Sequence, residues 1–276
     1  MERLRTPQQH QRGIAQCVDG IAPGAAATFA LESPFAQPPL QAKFDMLNFF
    51  YSAAPNPRKV ALLLEELGIA YEAHPVDTRK GEQFAADFLK VNPNAKVPAI
   101  VDGAVTVFDS NAILLYLADR EKRFAPQDAA SAARGHMLSW LMFIATGVGP
   151  FSGQSVHFRH AAPKPQDYAL NRYDFEAHRH WKLIDDHLAK SKYMLGEEYS
   201  IVDMAFWGWA GNLSYVLGID DAYTRYANIK RLLDEINARP AAQRANALKT
   251  KHKFKTENDD EAKRFMFPQN ERLKKA

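Results

Sequence analysis

The sequence predicts an α/β domain with a mixed sheet, followed by an all-helical half. Three observations lead there. Strand-like and helix-like runs alternate from Met46 to about Lys122 in the order β-α-β-α-β-β-α. The strand pattern then stops at a proline-marked stretch, "KRFAPQDAASA" (122–132). Beyond it the spacing is helical throughout, over roughly 131–158, 167–190, 200–216 and 224–238.

The opening run, "MLNFFY" (46–51), is short, apolar and aromatic, which suits a buried strand. In "PNPRKVALLLEEL" a helix is expected over Asn56–Leu67, with Val60, Leu63, Leu64 and Leu67 on one face. Gly68 follows, placed to take the left-handed conformation that ends a helix. "AYEAHPVD" (70–77) predicts the second strand, and Gly81–Lys90 a second, short helix. "KVPAIVDGAVTVFDS" (96–110) predicts a hairpin turning at Asp102-Gly103. A third helix is expected over Ser110–Glu121, with Ile113, Tyr116 and Leu117 inward. In the helical half the clearest start signal is "YSIVDMA". Ser200 can cap the helix, Asp203 can return a bond to the Ser200 backbone, and Tyr199 and Met204 can staple across the cap. Such a cap contributes about 1 kcal/mol to stability.

Composition narrows the function. The chain of 276 residues has room for two compact domains. No apolar stretch approaches the roughly 18 residues of a membrane span. A net charge of +3, with the signs interspersed, gives no argument for a nucleic-acid partner. Cys17 is the single cysteine. Internal disulfides and dithiol chemistry are therefore excluded, and any thiol chemistry must use a thiol that is brought in. The same economy of cysteine fits a reducing cytosol, so a cytoplasmic location is expected. Residues 1–45 are rich in alanine and proline without a sustained period. They match an export or transit sequence only weakly, and a disordered leader is expected. Residues 250–276 form a charged C-terminal tail with an isolated "FMFP" patch, expected to wrap over the surface or stay mobile.

The turn before the first helix, "SAAPN", holds no cysteine, tyrosine or acid. Further on, Pro98 opens a strand to whose ladder it cannot donate. A cis Val97-Pro98 bond there would present the Val97 backbone to an extended peptide; an ordinary turn proline is the alternative. Asp109 and Ser110 stand at a helix start, where free N–H groups and the helix dipole favour a carboxylate. With an acid alongside to hold an ammonium, the pair suits an α-amino acid head group; plain capping is the alternative. His157 and His160 lack an acidic or cysteine partner at suitable spacing, so no metal site is expected. Trp140, Trp181, Trp207 and Trp209 are read as core or as the wall of an apolar cleft.

Together, the opening turn, the "KVP" proline, the "DS" helix start, the proline-marked linker and the Ser200/Asp203 cap resemble the cytosolic glutathione transferases. The resemblance covers about residues 46–250. "PNPRKVALLLEELG", "KGEQF" and above all "GVGPFSGQSVHFRHAAP" (147–163) are similar to the nu class and the Ure2-like disulfide-bond reductase group. It implies glutathione transferase architecture, with a thioredoxin-like glutathione-binding domain at 46–122 and an all-helical substrate domain at 131–249. It also implies glutathione as cosubstrate and a homodimer. Carried over by position, Asp109 and Ser110 would hold the γ-glutamyl head and Val97 would pair with the cysteinyl backbone. Lys96 would lie near the glycyl carboxylate and Gln83 would contact the glycyl end. Asn56 would lie beside the sulfur, as the catalytic residue, and Arg172 near a second glutathione or its carboxylate.

One position departs from the pattern. In this group a hydroxyl residue often stands two before the asparagine, and here that position is Ala54. Ser52 and Tyr51 are the hydroxyls left to reach in. The implied chemistry uses the thiol of bound glutathione as nucleophile, its anion held by the Asn56 amide and the helix N–H groups. The expected activity is glutathione-dependent disulfide-bond oxidoreduction or transfer to a small electrophile. A non-catalytic glutathione-binding regulatory or interaction protein is the alternative, which Ala54 favours.

Overall fold

Residues 46–274 are described in a computed structural model. The leader expected at 1–45 and the last two positions of the tail lie outside the described residues. Four strands form one sheet in the order β2-β1-β3-β4. β1 (Leu47–Tyr51) runs parallel to β2 (Tyr71–Pro75), so the chain must cross over between them, and α1 (Pro55–Leu67) is that crossover. β3 (Ala99–Asp102) is antiparallel to β1, and β4 (Val105–Phe108) to β3. Leu47, Phe49 and Tyr51 alternate into the core from β1.

α1 ends where expected: Gly68 adopts φ 73° and its N–H bonds to the Leu64 carbonyl. Its buried surface is broader than one face, because Val60, Ala61, Leu62, Leu63 and Leu64 are all buried while Leu67 is half-exposed. The breadth follows from its surroundings: α3 (Ser110–Glu121), α7 (Ile201–Ala210) and α11 (Pro240–Lys251) all pack on it. The short helix expected at Gly81–Lys90 is instead a 3-10 turn (Glu82–Phe84) and α2 (Ala86–Val91), separated by extended Ala85. The hairpin turns one residue later than expected, at Gly103-Ala104, since Asp102 pairs with Val105 and Gly103 takes φ 58°. On α3 it is Leu114 that is fully buried beside Ile113 and Leu117. Tyr116 stays half-exposed because its hydroxyl donates to Asp102 at 2.8 Å.

The pattern over 131–158 resolves into α4 (Ala132–Phe143), a π-helical turn (Ile144–Val148) and α5 (Gly149–His160). α6 (Asp167–Leu188) and α7 follow; α7 stops at Gly211, before α8 (Leu213–Leu217), α9 (Ala222–Arg225) and α10 (Ala227–Asn237). The capping box at Ser200 and Asp203 is formed, and Asp203 also accepts from the Met194 N–H at 2.8 Å. α11 and α12 (Asp260–Met266) carry no counterpart among the expected helices. α11 ends at Lys251. The tail then folds back over the first half: Phe254 meets the Tyr51 ring edge-on, and the Lys255 N–H donates to Asp77 at 2.7 Å. Among the described residues no helix is long and apolar enough to cross a membrane.

Candidate functional site

The strand register gathers the site. Phe50 pairs with Ala99, and Ala99 with Phe108. Two residues further along, the same register brings Ser52, Val97 and Ser110 to one end of the sheet. The Val97-Pro98 bond is cis, and Val97 stands just outside the ladder, which begins at Ala99. Lys96 beside it is exposed, and its carbonyl accepts from Asn92.

Opposite lies the start of α3. Asp109 adopts φ 74° and ψ 127°, a left-handed backbone that residues other than glycine rarely take. Such conformations cost about 1–3 kcal/mol and cluster at ligand sites. Its Oδ1 accepts from the N–H groups of Asn111 at 2.9 Å and Ala112 at 3.2 Å, so the capping reading is correct. Capping uses one oxygen only; among the described residues Oδ2 has no hydrogen-bond partner, which leaves it available to an ammonium. Ser110 is buried, and its Oγ accepts from Lys59 Nζ at 3.3 Å.

Lys59 is a site residue that sequence reasoning missed. It is 2% exposed and donates to Asn111 Oδ1 at 3.2 Å as well as to Ser110. Burial pushes its ammonium down to about 7, opposed by the charge of Asp109. One signal was present: Lys59 sits four residues before Leu63, on the inward side of an apolar helix. Gly208 makes the room, since a Cβ there would lie 2.6 Å from both Lys59 Cγ and the Pro55 carbonyl oxygen.

At the start of α1, Ala54 supplies no side-chain cap. Pro55 and Pro57 have no N–H, so among the first four helical positions only Asn56 and Arg58 carry one. Asn56 is half-buried, and its Oδ1 accepts from the indole Nε1–H of Trp209 at 3.0 Å. Of the two candidate hydroxyls, that of Tyr51 is engaged by the tail, whereas Ser52 keeps its own O–H to donate. Tyr51 bonds to the Leu248 carbonyl at 3.1 Å and to His252 Nδ1 at 2.6 Å, and Ser52 Oγ accepts from the Ala54 N–H at 3.3 Å.

Gln83 is buried beneath the tail. Its Nε2 donates to the carbonyls of Thr78 at 3.3 Å and Phe265 at 3.2 Å, and its Oε1 is buried without a partner among the described residues. Gly81 lets the Phe265 ring approach; a Cβ there would stand 2.5 Å from the ring. Arg172 is exposed and bonds within its own helix, to Glu176 at 2.6 Å. Arg179 and then Arg172 hold the Glu176 carboxyl below its ordinary range. The structure thus joins Asn56's helix to the Asp109/Ser110 end through Lys59, places Val97 beside that end, and leaves Arg172 outside these hydrogen bonds.

The segment 147–163 packs on α6 and on Trp209 of α7. Gly147 admits the ring of His180, which stacks between Phe143 and Phe151 with centroids 5.0 Å from each. Burial lowers the His180 pKa, which favours the neutral ring. Gly149 and Gly153 border the indole of Trp209. His157 packs on Phe267 and His160 stacks on Tyr215, an aromatic role for both. A further concavity, lined by Ala53, Arg58, Tyr223, Lys230 and Lys249, contains none of the sequence-predicted site residues.

Comparison with known proteins identifies the family. Residues 53–120 match the family description "Glutathione S-transferase, N-terminal domain", and residues 167–235 match "Glutathione S-transferase, C-terminal domain". The chain is 38% identical over 214 residues to the disulfide-bond oxidoreductase YghU of Escherichia coli, covering 72% of this chain and 73% of that protein. It is 36% identical over 214 residues to the disulfide-bond oxidoreductase YfcG of the same organism, covering 72% and 94%. A glutathione transferase family member from Pseudomonas fluorescens, solved with two glutathione molecules bound, superposes with a TM-score of 0.69 at 36% identity, over 74% of this chain and 94% of that one. With a mixed four-stranded thioredoxin-like sheet followed by a helical half, and relatives this similar over most of their length, the chain belongs to the glutathione S-transferase family.

Proposed function

We propose that the protein is a glutathione-dependent disulfide-bond oxidoreductase in which glutathione supplies the only reacting thiol on the enzyme side. The observation that carries this is the β1–α1 turn: it holds no cysteine, and it presents the half-buried Asn56 amide at a helix start that no side chain caps. A thiol ionises little at neutral pH unaided, and hydrogen-bond donors aimed at the anion increase that fraction. In the proposed site Asp109 Oδ2 takes the glutathione ammonium, and the α3 start with Ser110 takes its α-carboxylate. Val97 pairs with the cysteinyl backbone, Lys96 and Gln83 serve the glycyl end, and Arg172 serves the carboxylate of a second glutathione. The domain bounds are those of the sequence reading, 46–122 and 131–249, with a cytoplasmic homodimer as the working form.

The reaction balances with two glutathiones. One thiolate attacks a disulfide R–S–S–R, forming a mixed disulfide GS–SR and releasing RS⁻, which takes a proton. The second thiolate attacks the glutathione sulfur of the mixed disulfide, giving GS–SG and a second thiol. Two electrons pass from the glutathione pair to the substrate.

Steady-state turnover of hydroxyethyl disulfide against chlorodinitrobenzene tests the proposal. Disulfide reduction is expected to dominate. Asn56→Ala is expected to lower it about 10- to 100-fold, as loss of a hydrogen bond to an anion costs roughly 1.5–3 kcal/mol. Strong conjugation with negligible disulfide reduction, or an unchanged Asn56→Ala rate, would overturn it. A glutathione-binding protein without turnover is the second reading, favoured by Ala54 and by the tail over Gln83. Binding with no rate in either assay would select it.

A further inference from the structure

We infer that Trp209 is a positioning residue: its indole N–H fixes the Asn56 amide so that the NH2 end, and not the carbonyl, faces the sulfur of bound glutathione. The inference rests on the reading of Asn56 as the partner of that sulfur. An asparagine amide has two ends of similar shape and opposite polarity, one donating and one accepting. Beside a thiolate the difference is decisive, because a carbonyl turned towards the anion repels it. A neighbour that can only donate removes the ambiguity, and an indole is such a neighbour. Trp209 Nε1 lies 3.0 Å from Asn56 Oδ1. Flipping the amide would set two N–H groups against each other and bring the oxygen to the sulfur. Among the described residues Asn56 Nδ2 has no acceptor in the protein, so it is left for a ligand.

The indole is itself placed by the most specific stretch of the sequence. A Cβ at Gly149 would lie 3.5 Å from Trp209 Nε1, and one at Gly153 would lie 3.7 Å from the ring edge. Any side chain longer than a methyl group at either position would compete with the ring for space. The neighbouring tryptophans do different work: Trp181 donates to Ser152 and Trp207 to Asn237, both within the helical half. Trp209 reaches instead from α7 to the first turn of α1, 153 residues away in sequence. The glycines of α5 thereby bear on the sulfur site through one ring. With Ala54 providing no hydroxyl, the direction of the Asn56 amide determines whether the α1 start itself offers a side-chain donor.

The test compares wild type, Trp209→Phe, Asn56→Ala and the double variant. Turnover of hydroxyethyl disulfide is measured, and the thiol of bound glutathione is titrated by its ultraviolet thiolate absorbance. Trp209→Phe is expected to lower kcat/KM about tenfold and to raise the pKa of the bound thiol. Its affinity for S-methylglutathione, which has no thiol to ionise, is expected to change less than about twofold. In the Asn56→Ala background Trp209→Phe should add nothing, since the two act as a unit. If Trp209→Phe fails to fold, replacing Trp209 by benzothienylalanine exchanges the ring N–H for sulfur at nearly constant shape. A full effect of Asn56→Ala with none from either Trp209 replacement would overturn the inference and leave the Asn56 reading standing. No effect of Asn56→Ala would overturn both.

Discussion

Replacing Gly208 by alanine sets two effects of opposite sign against each other. Gly208 lies inside α7, where alanine is favoured over glycine by about 1 kcal/mol. Propensity alone therefore expects a more stable protein. The packing expects the reverse. The added Cβ would stand 2.6 Å from Lys59 Cγ and 2.6 Å from the Pro55 carbonyl oxygen, and that second atom is backbone at the first position of α1. Normal contact needs roughly 0.8 Å more, since carbon atoms pack at about 3.5 Å and carbon to oxygen slightly closer. Overpacking of this kind costs about 1–3 kcal/mol, and here it cannot be relieved by rotating one flexible side chain. The net expectation is a loss of up to about 2 kcal/mol, or up to roughly 4–8 °C in Tm for a chain this size. Calorimetric melting measures it, with Gly153→Ala as the control, whose Cβ meets only the Trp209 ring edge at an ordinary 3.7 Å. Gly208→Ala is also expected to weaken glutathione binding, because α1 carries Asn56 and Lys59. A Gly208→Ala Tm at or above wild type would refute the close-approach reasoning.

Two further outcomes can be checked. Burial drops the Lys59 pKa from 10.5 to about 7, so between those values the unfolded chain binds a proton that the folded protein does not. Stability therefore rises with pH across that window. Denaturant unfolding should show wild type gaining on Lys59→Met as pH climbs from about 7 towards 10, and parallel profiles would contradict the burial of the charge. Phe265→Ala removes the ring that rests on Gly81 and loosens the carbonyl bonded to Gln83. Faster proteolysis within 252–274 and a lower KM for glutathione are expected; a raised KM would mean that the tail helps to hold the ligand.

Much of the site was legible because its signals are local. Asp109 and Ser110 open a helix, Pro98 opens a strand, and Gly68 closes α1, each within a few residues of its cause. The capping box at Ser200 is equally local. What stayed hidden depends on partners far along the chain. A lysine is ordinarily exposed, and only Gly208, on another helix, explains why Lys59 is not. Trp209 read as core or cleft wall because nothing near it in sequence announces Asn56. Tyr51 was a plausible hydroxyl for the sulfur until the tail placed His252 against it. The tail read as a charged segment with an apolar patch that wraps or stays mobile; it wraps, with Asp259 capping α12 and Phe265 resting on Gly81. The π-helical turn at 144–148 interrupts one helical pattern for tertiary reasons, next to the glycines that admit His180 and Trp209.

The central claim is that the sulfur chemistry belongs to glutathione and not to the protein, and Cys17 is the one protein thiol that could dispute it. Turnover of hydroxyethyl disulfide by Cys17→Ser, with glutathione as reductant, is the direct measurement. The variant should reduce the disulfide at the wild-type rate. A fall to the uncatalysed rate in a folded Cys17→Ser protein would place a reacting thiol on the chain and contradict the claim.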